Sequence, residues 1–141
     1  MMDRVEPSLA ARALASAGDA IITVDASGRI TSWNDAAHRL LGFSPEDAVG
    51  QTLALIIPTA HRSQHMAGFH AAMAGGHLAH AGAIARVEAA TASGGRLVLG
   101  LSLGLLLNED AKPAGAVAVL RPLGEAVVQF VSAVAPRNEG A

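Results

Sequence analysis

The first sixty residues alternate between short apolar stretches and clusters of turn-forming residues. Alanine and leucine dominate residues 8–17, which predicts a short helix with Ser8 as its cap. The apolar segments 21–24 and 30–33 flank the turn residues Asp25 to Gly28, and this pattern predicts a β-hairpin. Further short helices are predicted at 35–43, capped by Asn34, and at 45–50, where Pro45 takes the first helical position.

Residues 59–74 have the periodicity of a longer helix, which ends at the Gly75-Gly76 pair. Its predicted apolar stripe, at i, i+3 and i+7, consists of Met66, Phe69 and Met73. On a helical wheel His65 and His70 each lie roughly 70° from the centre of that stripe, on opposite sides. One of the two histidines could therefore face an interior cavity, but not both.

The second half of the chain has the pattern of a sheet. Residues 77–91 and 115–120 are predicted strands, and 96–107 gives the clearest strand signal of all. One face of this long strand is entirely leucine, whereas the other is smaller, with Val98, Gly100, Ser102, Gly104 and Leu106. A final helix is predicted at 124–134, with an apolar stripe of Val127, Phe130, Val131 and Val134.

This order of elements predicts an α+β domain in which an antiparallel sheet has its helices gathered on one face. We divide the chain into an N-terminal helical cap at 1–18, a central domain at 19–122, and a C-terminal helix with a frayed tail at 123–141.

The composition narrows the classes of function. The chain has 141 residues, 51% hydrophobic and 16% charged, which suits one domain with a full hydrophobic core. Its net charge of −2, without any run of lysine or arginine, argues against binding to nucleic acid or a membrane. It has no cysteine and no signal-peptide pattern, so we expect a cytoplasmic protein. No Ser-His-Asp arrangement, phosphate loop or paired carboxylate is evident, so we expect no enzyme activity.

Residues 19–58 combine the hairpin with a Trp-Asn pair and an Ala-x-x-x-Leu-Leu-Gly-Phe segment, and this combination closely resembles a PAS sensor domain. The resemblance covers about residues 12 to 121. It implies a five-stranded antiparallel sheet with small helices on one face, short terminal helices, and a cup that can hold a ligand. The matching residues are Asp25, Gly28, Ile30, Trp33, Asn34, Phe43, Glu46, Val49, Gly50, Ile57 and Pro58.

Within the PAS family, the long helix resembles that of the oxygen-sensing haem kinases of rhizobia. There a histidine in an Arg-Ser-x context ligates the haem iron, and Arg62, Ser63 and His65 match that context. The resemblance implies haem in the cup, with His65 as its ligand, and Arg86 stands one residue out of register with the arginine on the gas side. The expected cofactor-binding residues are His65, Arg86, Ile57, Met66, Phe69 and Met73, together with Leu101 and Leu103, which match the apolar gas-side residues.

Simpler interpretations remain open for the same side chains. His65 could bond to a backbone carbonyl or to water at the helix edge, and Arg86 could point outward beside Glu88. His61 and His65 could form a metal-binding pair, but no neighbouring carboxylate or cysteine completes a zinc site. We therefore expect no metal apart from haem iron at His65, and an unknown ligand or none is the alternative to haem.

The small apolar face of residues 98–106 predicts an interaction surface, because such a face exposed to water favours association. Either the terminal helices or a second subunit could cover it, so we expect a homodimer formed through the sheet face or the terminal helices. The leading hypothesis is a sensor that binds a small ligand or haem and signals through the sheet face, with a downstream signalling protein as a further partner. The alternative is a ligand-free interaction and dimerisation module.

Overall fold

The first half of the described chain is mostly helices and turns, and its second half is mostly strands. The computed structural model describes residues 6–78 and 83–123. The elements are helix α1 (Leu9–Ser16), strands β1 (Ala20–Asp25) and β2 (Ile30–Trp33), helices α2 (Asp35–Leu41) and α3 (Pro45–Ala48), two 3₁₀ turns (Leu53–Ile56 and Thr59–His61), helix α4 (Arg62–Gly75), and strands β3 (Ala85–Ala90), β4 (Arg96–Leu107) and β5 (Pro113–Pro122).

The five strands form one antiparallel sheet in the spatial order β2-β1-β5-β4-β3. Ile22, Leu99 and Leu120 are almost fully buried on one side of it, which we call the inner face. Helices α2 and α3 contribute Ala37, Leu41 and Ala48 to the same core, so they pack on this side. The predicted α+β architecture with a five-stranded antiparallel sheet is therefore confirmed.

Asn34 joins three elements through one buried side chain, which is 7% exposed. Its Oδ1 accepts hydrogen bonds from the backbone N–H groups of Ile21 and Ala37, each at 3.0 Å, and so caps α2 while holding the start of β1. Its Nδ2 donates to the carbonyls of Leu14, at 2.8 Å, and Asp19, at 3.0 Å. No residue of α1 is buried, so the bond from Asn34 to the Leu14 carbonyl is an important part of what ties α1 to the domain.

The β1–β2 hairpin depends on the carboxylate of Asp25. Its Oδ1 accepts from the hydroxyl of Ser27 at 2.7 Å and from the backbone N–H groups of Ser27 and Arg29. The Ser27 hydroxyl, followed by the Arg29 N–H, holds the pKa of this carboxyl below its usual value. The contribution of the ionised Asp25 carboxylate to the stability of the fold is therefore fully present above the ordinary carboxyl pKa. It is lost as the pH falls through the lowered pKa of Asp25.

Several predicted boundaries differ from the observed ones. The helix predicted from residue 59 begins as a 3₁₀ turn and becomes α-helical at Arg62. Helix α2 ends at Leu41 rather than residue 43, because Gly42 has a left-handed φ of 87° and reverses the chain. The strand predicted at 77–91 is shorter, Ala85–Ala90. The helix and tail predicted after residue 123, and His80, lie outside the described residues.

Across the described ranges 6–78 and 83–123, no helix has the length and apolar character that a membrane crossing requires.

We expect Asn34→Ala to lower the free energy of unfolding by about 2–4 kcal/mol, because it removes a helix cap and leaves buried backbone groups without partners. Asn34→Asp is the matched control, since it keeps the two accepted bonds and loses the two donated ones, and it should lose roughly half as much. Urea denaturation measures both. An Asn34→Ala protein within about 0.5 kcal/mol of the parent would contradict this role.

Candidate ligand-binding site

A cavity of about 430 Å³ lies between the inner face of the sheet and helix α4. Strands β1, β3, β4 and β5 form its sheet wall, and α4 with the segment 53–57 forms the other side. The volume falls within the range of roughly 300–1,000 Å³ that is common for small-molecule sites. The cavity is therefore large enough to be a binding site rather than a packing defect.

Small side chains leave this space open. Protein interiors are usually close-packed, so a cavity of this size needs positions where the side chains do not reach across. The lining includes Gly68 and six alanines, which are Ala72, Ala83, Ala85, Ala89, Ala116 and Ala118. Apart from its chain neighbours and the backbone of its own helix, no atom of the described residues lies within 4 Å of the point where a Cβ of Gly68 would stand.

Polar groups on the cavity wall are few. Gln64 and His65 contribute them from the beginning of α4. Glu88 of β3 also borders the cavity, but its side chain belongs to the outer face of the sheet. The Glu88 carboxylate accepts a hydrogen bond from Arg96 at 3.1 Å, with both side chains substantially exposed. The remaining lining residues carry only hydrocarbon side chains or none. An apolar ligand therefore suits this cavity, with its polar part next to the start of α4.

Five of the eight residues predicted to bind a cofactor line the cavity. The structure brings Ile57, His65 and Phe69 together with Leu101 and Leu103 of β4, whose side chains belong to the sheet wall. His65 is exposed as well as lining the cavity, so it stands at the edge of the cavity rather than deep within it. His70, on the other flank of the helix, is exposed and does not line the cavity.

Met66 and Met73 do not line the cavity, which corrects the predicted position of the apolar stripe. The Met66 Cε lies 3.1 Å from where a Cβ of Gly28 would be, so Met66 packs over the β1–β2 turn. The cavity-facing positions of α4 include Gly68 and Ala72, rotated by roughly 100° from the methionine stripe. Sequence reasoning missed this small-residue face, although the i, i+4 spacing of Gly68 and Ala72 signals it.

Arg86 lies on the opposite side of the sheet from the cavity. It pairs with Gly100 across the β3–β4 ladder, while its neighbours Ala85 and Val87 line the cavity. Successive side chains of a strand point to opposite faces, so Arg86 belongs to the outer face. The prediction that Arg86 is a cofactor-binding residue is therefore corrected by the structure. Glu88, also outward in the alternation, pairs with Arg96 instead of Arg86.

The lining residues fit a haem group in its main requirements. An imidazole on one wall with hydrocarbon side chains facing it suits single-sided ligation of haem iron. His61 and His65 also lie near each other, with ring centroids 6.5 Å apart. Within residues 6–78 and 83–123, however, no three His, Asp or Glu side chains gather as a metal site needs. His65 is therefore the residue that would hold the iron.

The chain matches a family model over most of its length and a known protein over a short segment. The family model described as the PAS fold matches residues 9–123. The sensor protein FixL of Bradyrhizobium diazoefficiens is 40% identical over 47 residues, which amount to 33% of this chain and 9% of that relative. The match thus spans a small fraction of the relative's length.

Solved structures show the same fold. A PAS domain from Colwellia psychrerythraea aligns with a TM-score of 0.70 at 20% identity, covering 81% of this chain and 93% of that one. The PAS domain of the quorum-sensing receptor RpfR from Cronobacter turicensis, solved in complex with C12:0, aligns with a TM-score of 0.58 at 15% identity, covering 77% and 96%.

Filling the cavity should stabilise the ligand-free protein. We expect Ala118→Leu to raise the free energy of unfolding by about 1–2 kcal/mol, because three added carbons occupy empty apolar space. Ala114→Leu is the matched control on the same strand, since Ala114 is exposed outside the cavity and its change should stay within about 0.5 kcal/mol. Denaturant unfolding of the two variants tests this, and a destabilised Ala118→Leu protein would show that the space closes in solution.

Proposed function

The chain belongs to the PAS family, and from this premise we propose that it is a signalling sensor module that binds a small ligand or haem in the cavity beneath α4. The cavity itself is the observation that carries the proposal. A domain without a ligand would fill this space with larger side chains, whereas here Gly68 and six alanines keep it open. The proposal assigns the module to the cytoplasm, with no catalytic activity of its own.

Haem is the ligand for which the chain offers a specific partner. His65 stands on the helix wall and would bind the iron, while Leu101 and Leu103 stand on the sheet wall. The Nε of Arg62 donates to the carbonyl of Ile57 at 2.9 Å, which anchors the turn before His65 to the segment lining the cavity. When bound, haem would supply an iron centre able to take a diatomic gas. The partial match to a FixL sensor protein supports this choice.

Haem uptake should depend on His65 and not on His70. We expect titration with haem to give the same Soret spectrum for the parent and for His70→Ala, because His70 lies off the cavity wall. His65→Ala should instead give the spectrum of haem without a protein ligand. His70→Ala is a close control, since it removes the same side chain from the same helix.

Two results would count against this assignment. Loss of the spectrum in His70→Ala would show that the wrong histidine is assigned. A parent that takes up no haem would exclude haem as the ligand, and the apolar cavity would then be tested with C12:0, the molecule bound in the Cronobacter PAS structure.

A ligand-free interaction and dimerisation module is the second candidate function, and the outer face of the sheet favours it. Val98 and Leu106 of β4 are each 38% exposed there, and Ile84, just before β3, is 71% exposed. Water-exposed apolar groups on one sheet face suit a second subunit or a signalling partner. Both candidate functions would use this face. They differ in whether the purified protein carries a ligand, and visible absorbance detects that ligand if it is haem.

The exposed apolar residues on the outer face of the sheet predict a homodimer, and charged side chains introduced on that face should dissociate it. We expect the Val98→Glu/Leu106→Glu variant to be a monomer in light scattering at micromolar concentration, because like charges meet across a symmetric interface. Leu9→Glu on α1 is the control, as Leu9 is 75% exposed but stands on the N-terminal helix. If Leu9→Glu alone dissociates the dimer, the terminal helices form the interface. A monomeric parent would exclude both arrangements.

A further inference from the structure

Two side chains from distant parts of the sequence meet over Gly100 on the outer face of the sheet. A Cβ at Gly100 would stand 3.1 Å from the Cδ2 atom of Leu123 and 3.3 Å from the Cγ2 atom of Ile84, closer than such contacts usually are. The φ of Gly100 is not positive, so its backbone conformation does not require glycine. The missing side chain therefore makes room for Ile84 and Leu123, and we call these three residues the Gly100 cluster.

Ile84 connects the Gly100 cluster to the cavity. Its neighbours Ala83 and Ala85 line the cavity, whereas Ile84 itself lies on the outer face, where it is 71% exposed. One layer of backbone therefore separates a ligand in the cavity from the side chain of Ile84. A ligand that packs against Ala83 and Ala85 restricts this backbone, and with it the position of Ile84 over Gly100.

Leu123 connects the cluster to the C-terminal part of the chain. It follows Pro122, which pairs with Leu99 at the end of β5, and it precedes the segment 124–141, which lies outside the described residues. Leu123 does not line the cavity, and it is 43% exposed. A side chain with this much exposure has few packing contacts, so a change at Ile84 affects a large share of them.

We propose that the Gly100 cluster reports the occupancy of the cavity to the C-terminal segment 124–141. When the cavity is filled, the backbone at 83–85 is fixed, and Ile84 and Leu123 stay together over Gly100. When the cavity is empty, the same backbone is less restricted, and Leu123 leaves the cluster more often. The proposal rests on the ligand site proposed above, but not on which ligand fills it.

The test uses a spin label on Ala126→Cys, which is a unique attachment site because the chain has no cysteine of its own. Electron paramagnetic resonance gives the ratio of mobile to immobile label. Gly100→Ala should raise this ratio about fourfold, the effect of losing an apolar contact the size of one methylene. Gly104→Ala is the matched control, because it adds the same methyl group to the same strand and face, where its Cβ would meet Val117 at 3.1 Å instead of the cluster. No rise with Gly100→Ala, or an equal rise in both variants, would overturn the proposal.

Filling the cavity with a side chain tests the coupling without a choice of ligand. Ala118→Leu should lower the ratio of mobile to immobile label by about the same factor in the parent and in Gly104→Ala. It should leave the ratio unchanged in Gly100→Ala, because the coupling then has no route through the cluster. A label that responds to Gly100→Ala but not to Ala118→Leu would overturn the reporting role and leave the ligand site intact.

Haem titration of the labelled protein separates this proposal from the proposed function. Haem uptake, seen as a Soret band, without any change in the label ratio would overturn the reporting role while the haem site stands. A parent that takes up no haem would overturn the haem site alone, and the response to Ala118→Leu then decides the reporting role. A destabilised Ala118→Leu protein would overturn the ligand site and the reporting role together, because the cavity would then be closed in solution.

Discussion

The pairing register of the central strand β5 is the constraint on which the rest of the protein depends. β5 pairs with β1 on one side and β4 on the other, so its alternation sets the inner and outer faces of both neighbours. Gly115 secures the register where β5 meets β1. It has a φ of 152°, and a Cβ there would collide with the carbonyl oxygen of Val24. Only glycine permits that approach, and a slip of one residue would exchange the two faces of the sheet.

With the register set, the sheet has two faces of different character. The inner face is buried at Ile22, Leu99 and Leu120 but becomes small at the alanines of β5, so the core is dense at one part and open at another. The outer face keeps Val98 and Leu106 partly in water. A change in the cavity and a change at the outer face are therefore separated by one layer of backbone. This thin separation is a physical basis for a sensor that reports through its sheet.

Helix α4 divides its apolar residues between two tasks. Met66 packs over the β1–β2 turn at Gly28, while Phe69, Gly68 and Ala72 face the cavity. The same rotation brings His65 to the cavity wall and leaves His70 in solvent. One rotation of a helix thus decides which of several neighbouring histidines can bind a ligand. The bond from Arg62 to Ile57 supports that orientation at the start of the helix.

The sequence by itself determined the class of fold, the hairpin, the strand at Arg96–Leu107 and its two faces, because these follow from local turn chemistry and from alternation with a period of two. It also named His65 over His70 through the family resemblance, and five of the eight predicted lining residues stand in the cavity. Only the tertiary structure decided the side on which Arg86 lies, since a shift of one residue in strand pairing is invisible to local pattern. The rotation of α4 was likewise decided by packing, because two methionines satisfy an apolar stripe equally well against a hairpin or a cavity. The cavity itself arises from alanines and a glycine of distant segments that meet only after folding.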